Sequence, residues 1–423
     1  MTPSARLQSA IDILDAIAAT AQPVDRLLRD WFRTRRYAGS KDRAAVSELV
    51  YAVLRHRSAC AWRVGGGSGR SLVMGALLAE GRAPEAVAAL FDGSAYGPSP
   101  LTAQEAHALA SPSGDMPTAV RGEYPPFLEA ELERAFGKAL MDEMLALQER
   151  APVDLRVNAL KAARVAVEAE LRQAGFAVSP APYAPFGLRL APGAGSARLS
   201  TLAAYTEGRF EFQDEAAQLA ALLCGAQPGQ RVLDLAAGAG GKTLALAAQM
   251  RNRGEIVAHD IAAERLQALE ARTRRAGATI IHPTTAEPQG RFDLVLIDSP
   301  CSGSGTWRRQ PELRWRTTPE RLAELQGLQR RLLEKGARFV APGGRLVYAT
   351  CSILPSENED IVSAFTAHGE FEVLPPVWPQ AVGTAPPPGI GAFFKASPRT
   401  AGTDGFFTAV LQRRRWTESN AVA

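Results

Sequence analysis

Over the first sixty positions, apolar residues recur every three to four places. Leu7, Ile11, Ile13, Leu14 and Ile17 form one stripe. Val46, Leu49, Val50, Val53 and Leu54 form a second, after a break at Gly39-Ser40. This 3.6-type spacing predicts helices, with Ser40 as a candidate cap. Gly65-Gly66-Gly67-Ser68-Gly69 reads as a loop. Short Ala/Leu-rich helices follow to about residue 110, then a Ser/Pro/Gly-rich crossing at 111–126 and the helical stretch PPFLEAELERAFGKALMDEMLALQER. At about residue 153 the pattern changes. VDLRVNAL and GLRLAP read as strands, and VAVEAELRQAGF between them as a helix. From Val232 onward short apolar runs (VLDLAA, EIVAHD, FDLVLID, GRLVYAT) alternate with helical stretches (KTLALAAQMR, AAERLQALEARTRRAG, TPERLAELQGLQRRLLEKGARFV). Such alternation predicts an α/β fold built on a parallel sheet with helices on both faces. Residues 376–404 read as an irregular crossing and FFTAVLQRR as a last strand. The expected organisation is a helical part over 1–125, linker helices and a small α+β module over 126–212, and an α/β domain over 213–415.

Composition narrows the class. The chain has 423 residues, 46% hydrophobic and 22% charged, which excludes a disordered tail, a collagen-like fibre and a coiled coil. No run approaches the roughly 18 apolar residues that span a bilayer. The N-terminus shows no basic–apolar–small leader pattern. The 4 Cys residues, Cys60, Cys224, Cys301 and Cys351, are dispersed and form no CxxC pair. This argues against a disulfide framework and a Cys-based zinc site, and for a reducing, cytoplasmic setting. The 5 His show no metal-ligand spacing, so no metal is expected. Net charge is only +4, but residues 1–70 hold 12 Lys+Arg against 6 Asp+Glu. Arg33, Arg35, Arg36, Lys41 and Arg43 crowd together there with Trp31 and Tyr37. That cluster reads equally as a nucleic-acid-binding face or as a solvated helix surface.

Three motifs carry candidate chemistry. In VLDLAAGAGGKT, residues 232–243, a strand ends at Asp234, a Gly-rich turn follows, and a helix starts near Lys242. Small residues let a ligand approach the backbone, and a helix N-terminus offers free N–H groups. Asp260 ends the next strand, where an acidic side chain suits a ribose diol. The glycines fit neither GxGxxG nor a P-loop. In FDLVLIDSPCSGSGTWRRQPELRW, residues 292–315, a strand delivers Asp298 and Cys301 to its carboxyl end. Arg308, Arg309, Arg314 and Arg316, with Trp307 and Trp315, suit a nucleic acid arriving from solvent. In GRLVYATCSILPSENE, residues 344–359, another strand delivers Thr350 and Cys351 to the same edge, and Ser356 with Glu359 matches a capping box.

One chemistry accounts for two thiols and an Asp beside a methyl donor. Carbon 5 of cytosine is a poor nucleophile. A thiolate that adds to carbon 6 makes an enamine, and carbon 5 then attacks a sulfonium methyl. An acid near ring nitrogen 3 assists. A base must afterwards remove the carbon 5 proton so that the thiol leaves. The base must be unstacked to reach such a pocket. By this reasoning either thiol can be the attacker.

In order and spacing, these motifs resemble the RsmB/Sun/NOL family of RNA 5-methylcytosine methyltransferases. RVN at 156–158, FQDEAAQL at 212–219 and DGFF at 404–407 add to the resemblance, which covers about residues 125–415. GSKDRAAVSELVYAVLRHR is similar to the NusB-like RNA-binding domain of the RsmB branch. The resemblance implies a class I, Rossmann-like methyltransferase domain with a small α+β module and an N-terminal all-helical NusB-like domain. It implies S-adenosyl-L-methionine as cofactor and 16S ribosomal RNA as substrate. A tRNA substrate is the alternative, as is a non-catalytic RNA-binding assembly or antitermination factor. It assigns the nucleophile to Cys351, product release to Cys301, and contact with cofactor and target ring to Asp298. Ala236, Ala237, Gly238, Ala239, Gly240, Gly241 and Lys242 would line the methionyl part of the cofactor, and Asp260 its ribose. A monomer is expected. Two departures stand out. Ala236 and Ala239 occupy the family's Cys-like and Pro positions, and IIHPTTAEPQGR lacks the Asp expected near the adenine, leaving Thr284, Thr285 and Glu287 as candidates.

Overall fold

The computed structural model describes residues 1–111, 114–191, 196–379 and 383–415. Residues 112–113 of the expected 111–126 crossing and 380–382 of the 376–404 crossing lie outside them. The chain divides into two compact units. One comprises Met1–Glu149 with Trp307–Thr318; the other comprises Arg150–Thr306 and the chain from Pro319 onward.

The first unit is helical. Helices Pro3–Ala18, Val24–Thr34, Ser40–Arg55, Arg57–Val64 and Gly69–Ala79 enclose one core. Both predicted stripes face it: Leu7, Ile11, Ile13, Leu14 and Ile17 are buried, as are Val46, Val50, Val53 and Leu54. Burying such a side chain is worth about 1.5–3 kcal/mol, which is why the 3.6-residue period shows in the sequence. The cap of the third helix falls on Gly39 rather than Ser40. Cys60 lies in this core, and burial pushes its thiol up to about 12.

The second unit holds two sheets. The smaller contains β1 (Asp154–Val157), β2 (Val178–Pro180), β3 (Gly187–Leu190) and β4 (Phe210–Phe212), in the order β2-β3-β1-β4 and antiparallel throughout. Helix Arg164–Gln173 packs Val167 and Leu171 into its core. The larger contains β5 (Arg231–Asp234), β6 (Glu255–His259), β7 (Ile281–Thr284), β8 (Phe292–Asp298), β9 (Val340–Thr350), β10 (Phe371–Leu374), β11 (Phe394–Ala396) and β12 (Phe406–Arg413). Its order is β10-β12-β9-β8-β5-β6-β7, with β11 also on β12. The pairs β9-β8, β8-β5, β5-β6 and β6-β7 are parallel. β10, β11 and β12 pair antiparallel, so the wholly parallel sheet expected from the alternation becomes a mixed one. Leu294, Val295, Leu296 and Ile297 on β8 are all fully buried, as a strand covered on both faces requires. Cys224 is likewise buried in this unit.

Candidate active site

In parallel strands, the carboxyl ends share one edge, and loops leaving that edge form the ligand crevice. Asp234 ends β5 level with Ala258 on β6 and Leu296 on β8. Asp298 ends β8 level with Ala349 on β9, and Ser299 N donates to Ala349 O at 2.8 Å. The register therefore brings the 236–242 turn, Asp260, Asp298, Cys301 and Cys351 to the same edge.

The Gly-rich turn is closely shaped. Gly240 has φ +83°, and a Cβ there would sit 2.0 Å from Leu269 Cδ1. Only glycine fits, and it opens the helix Gly241–Gln249, whose first-turn N–H groups have no acceptor within the helix. Asp260 is buried; its Oδ2 accepts from Gly238 N at 2.9 Å and its Oδ1 from Ala262 N at 2.8 Å. Asp260 thus already holds the turn in shape. Above Gly238 there is open space, with no atom within 4 Å of where a Cβ would be. Asp234, wholly buried, accepts from Thr243 Oγ1 at 2.7 Å. Burial pushes its carboxyl up to about 7, and its Oδ1 has no partner. A small-residue cradle, a helix N-terminus and an acidic residue on the neighbouring strand fit the methionyl and ribose parts of S-adenosylmethionine.

Lys242, at the start of that helix, is ion-paired. Its Nζ lies 2.7 Å from Asp298 Oδ2 and 4.8 Å from the centre of the Phe406 ring. Burial opposes its charge, but Asp298, and to a lesser degree Cys351 and Asp234, hold its ammonium above the usual range. Lys242 therefore links the cofactor turn to Asp298. Of the adenine candidates, Thr284 Oγ1 accepts from Ala286 N, and Glu287 pairs with Lys335 at 2.8 Å.

The two thiols meet. Cys301 Sγ and Cys351 Sγ are 3.5 Å apart, and both residues are half-buried. The hydrogen bond to Cys351, and then burial, push the Cys301 thiol well above its ordinary range. Gly305 N donates to Cys351 O at 2.9 Å and Gly405 N to Gly305 O at 2.8 Å. A Cβ on Gly305 would lie 2.1 Å from Gly405 O, so DGFF packs backbone to backbone against the Cys301 loop. The predicted Ser356–Glu359 capping box does not form. Helix Glu359–Thr366 starts at Asn358 without a side-chain cap, and Glu359 pairs with Lys395 at 2.6 Å. Between Ser356 and Glu359, Glu357 and Asn358 are buried, and the cap-like spacing concealed the role of Glu357.

The predicted nucleic-acid contacts divide. Arg33, Arg36 and Lys41 are exposed beside Tyr37, itself 70% exposed. Arg35 is half-buried, its guanidinium 3.4 Å from the centre of the Trp31 ring, and Arg43 donates to Ala38 O at 2.8 Å. The second cluster requires correction. Arg308, Trp307 and Arg314 are buried within the helical unit, and Arg309 is half-buried. Arg314 donates to Arg55 O and Leu147 O, and Arg316 to Thr20 O and Gln22 O. These guanidiniums satisfy backbone carbonyls at helix ends instead of facing solvent. Among the described residues, no cluster of His, Cys, Asp and Glu could hold a metal ion.

The sheet, the glycine turn and the acidic strand ends define a class I, S-adenosylmethionine-dependent methyltransferase. Comparison with known proteins makes this more specific. Residues 221–412 match the 16S rRNA methyltransferase RsmB/F model, and residues 124–194 match the RsmF/B-like ferredoxin-like domain. The chain is 35% identical over 300 residues to "Probable ribosomal RNA small subunit methyltransferase B" of Synechocystis sp., covering 69% of this chain and 67% of that protein. It is 32% identical to ribosomal RNA small subunit methyltransferase F of Serratia proteamaculans, covering 68% of this chain and 63% of that one. The match thus spans about two thirds of the length of these relatives. The crystal structure of PH0851 superposes with a TM-score of 0.77 at 26% identity, over 98% of this chain and 99% of that one. The chain belongs to the RsmB/F family of 16S rRNA methyltransferases. The resemblance and the fold class read from the motifs are borne out.

Proposed function

We propose that this protein transfers a methyl group from S-adenosylmethionine to carbon 5 of a cytosine in 16S rRNA, through a covalent cysteine–cytosine adduct. The observation that carries the reading is the meeting of two thiols, 3.5 Å apart, on the sheet edge that also holds the Asp298–Lys242 pair. The names of the relatives support rRNA as the substrate.

Cys351 is assigned as attacker and Cys301 to product release, as the family resemblance implies for the paired thiols. The Cys351 sulfur bonds to carbon 6, and the electron pair of the 5,6 double bond moves to carbon 5. The cofactor supplies an electrophilic sulfonium methyl. Carbon 5 forms the new carbon–carbon bond, and the methyl–sulfur bond breaks. Asp298, paired with Lys242, would face ring nitrogen 3. Cys301 gives its own proton to water and, as the thiolate, takes the proton from carbon 5, ending as the thiol. The carbon 6–sulfur bond then breaks, and the 5,6 double bond returns. Ala236 to Lys242 would cradle the methionyl part and Asp260 the ribose.

The helical part over 1–125 is proposed to be a NusB-like RNA-binding domain, with Arg33, Arg36 and Lys41 as phosphate contacts. Arg35 and Arg43 would act there through stacking and loop support. A cytoplasmic monomer is part of this proposal. Among the described residues no helix is long and apolar enough to cross a membrane. Bisulfite sequencing of total RNA from a strain lacking the gene tests the proposal. One 16S cytosine should lose its methyl group and regain it on complementation. Loss at a tRNA position would replace the substrate, and no loss anywhere would favour a non-catalytic RNA-binding factor.

A further inference from the structure

We propose that Glu357 is a positioning residue for this reaction, its carboxylate being the shared anchor of the loops that carry Cys301 and Cys351. Glu357 lies in the short turn Pro355–Glu357 after β9 and is wholly buried. Its Oε2 accepts from Ser302 Oγ at 2.6 Å and from Ser352 Oγ at 2.5 Å. Its Oε1 accepts from Ser302 N at 2.8 Å and from Gln329 Nε2 at 3.0 Å. Ser302 directly follows Cys301 and Ser352 directly follows Cys351, so one oxygen atom grips the residue after each thiol. Gln329, from helix Pro319–Ala337, also donates to Pro300 O at 3.0 Å, on the other side of Cys301. Ser304 Oγ lies 3.0 Å from Ser352 Oγ and accepts from Ile353 N, joining the same two loops again. Tyr348 OH donates to Glu357 O at 2.7 Å and fixes the turn to β9.

The chemistry explains the need for such an anchor. The attacked carbon and the carbon that loses its proton are bonded neighbours in one ring, so the two sulfurs must address adjacent atoms. A buried carboxylate left without donors is costly, whereas hydrogen bonds to a charged acceptor are short and directional. Glu357 therefore favours the single loop arrangement that supplies all its donors. Misplacing a reacting group by about 1 Å can cost about a hundredfold in rate.

The inference rests on the paired-thiol reading, and its test has a readout that does not. In full-length protein, Glu357→Gln replaces one acceptor oxygen by a donor amide that faces other donors. The expected result is a kcat lower by about ten- to a hundredfold, with KM for RNA and for S-adenosylmethionine within about twofold of wild type. In parallel, the purified protein is treated with hydrogen peroxide. Cys301 and Cys351 give up two protons and two electrons to form a disulfide, while the peroxide is reduced to water. That cross-link should form at least about fivefold more slowly in Glu357→Gln, whether or not the methyl transfer reading holds. The Ser302→Ala/Ser352→Ala double variant removes both hydroxyl donors without altering the acid and should show the same pair of effects; it stands in if Glu357→Gln does not fold. A folded variant that keeps both kcat and the cross-linking rate within twofold of wild type would overturn the proposal.

Discussion

The Sγ atoms of Cys301 and Cys351 lie 3.5 Å apart although 50 positions separate the residues in the chain. Each follows the end of a central strand, and β8 pairs directly with β9. Adjacent parallel strands lie about 4.8 Å apart, so loops leaving their carboxyl ends can bring two side chains into contact. This geometry turns two isolated thiols into a pair in contact.

The division of roles is open to direct trapping. Cys301→Ala should accumulate a protein–RNA adduct that survives a denaturing gel, because the attack proceeds and release does not. Cys351→Ala should form no adduct and lower methyl transfer at least about a thousandfold. If Cys351→Ala is the variant that traps RNA, the two roles are exchanged.

Release should depend on pH in a definite direction. In the adduct the Cys351 sulfur is bonded to carbon 6, so of the two causes that raise the Cys301 thiol, the hydrogen bond to Cys351 and burial, burial is the one that remains. Only the deprotonated form can take the carbon 5 proton, so release should quicken as pH rises from 7 toward 9. Rapid-quench measurement of adduct decay checks this. A rate that is flat, or that falls with pH, removes Cys301 as the base.

Asp234 predicts a stability effect of its own. Burial raises its carboxyl to about 7, with Asp298 adding to the rise and Thr243 and Lys242 opposing it. The folded state therefore binds more protons than the unfolded state between pH 4 and 7. Its contribution to stability is present at low pH and is lost as pH rises through that window. A shift of that size corresponds to roughly 4 kcal/mol. Asp234→Asn should raise Tm relative to wild type at pH 8 and much less at pH 4.5, as read by calorimetry. An equal change at both pH values would assign the effect to packing instead.

The two basic clusters should respond differently. Exposed Arg33, Arg36 and Lys41, changed together to Glu, should weaken RNA binding and reduce its salt dependence by up to about one unit of slope per contact. Binding of S-adenosylmethionine and Tm should stay close to wild type. Arg314→Met should instead lower Tm, because it strips donors from two buried carbonyls in the helical unit. Filter binding over a salt series, with a thermal melt beside it, separates these outcomes.

Much of this protein was legible from local pattern. The stripes from Leu7 to Ile17 and from Val46 to Leu54 marked helices, because a helix buries one face at a period of 3.6. The run Leu294–Ile297 marked a central strand, because both faces of such a strand are covered. The glycine turn, Asp298, Cys301 and Cys351 were legible because their neighbours in sequence are also their chemical context. What depended on distant partners was not. Arg314 and Arg316 looked like an RNA-facing cluster, and only packing showed their guanidiniums turned onto carbonyls far away in the chain. That Lys242 pairs with Asp298 at 2.7 Å was not legible in the sequence, because 56 positions separate the two residues. Glu357 sat inside an apparent capping box, since the serines and glutamine that surround it come from three separate segments. Residue type and spacing by themselves determined the elements and the reactive groups. The pairing of those groups and which charges are buried were decided only in three dimensions, because hydrogen bonds and desolvation depend on distance in space rather than along the chain.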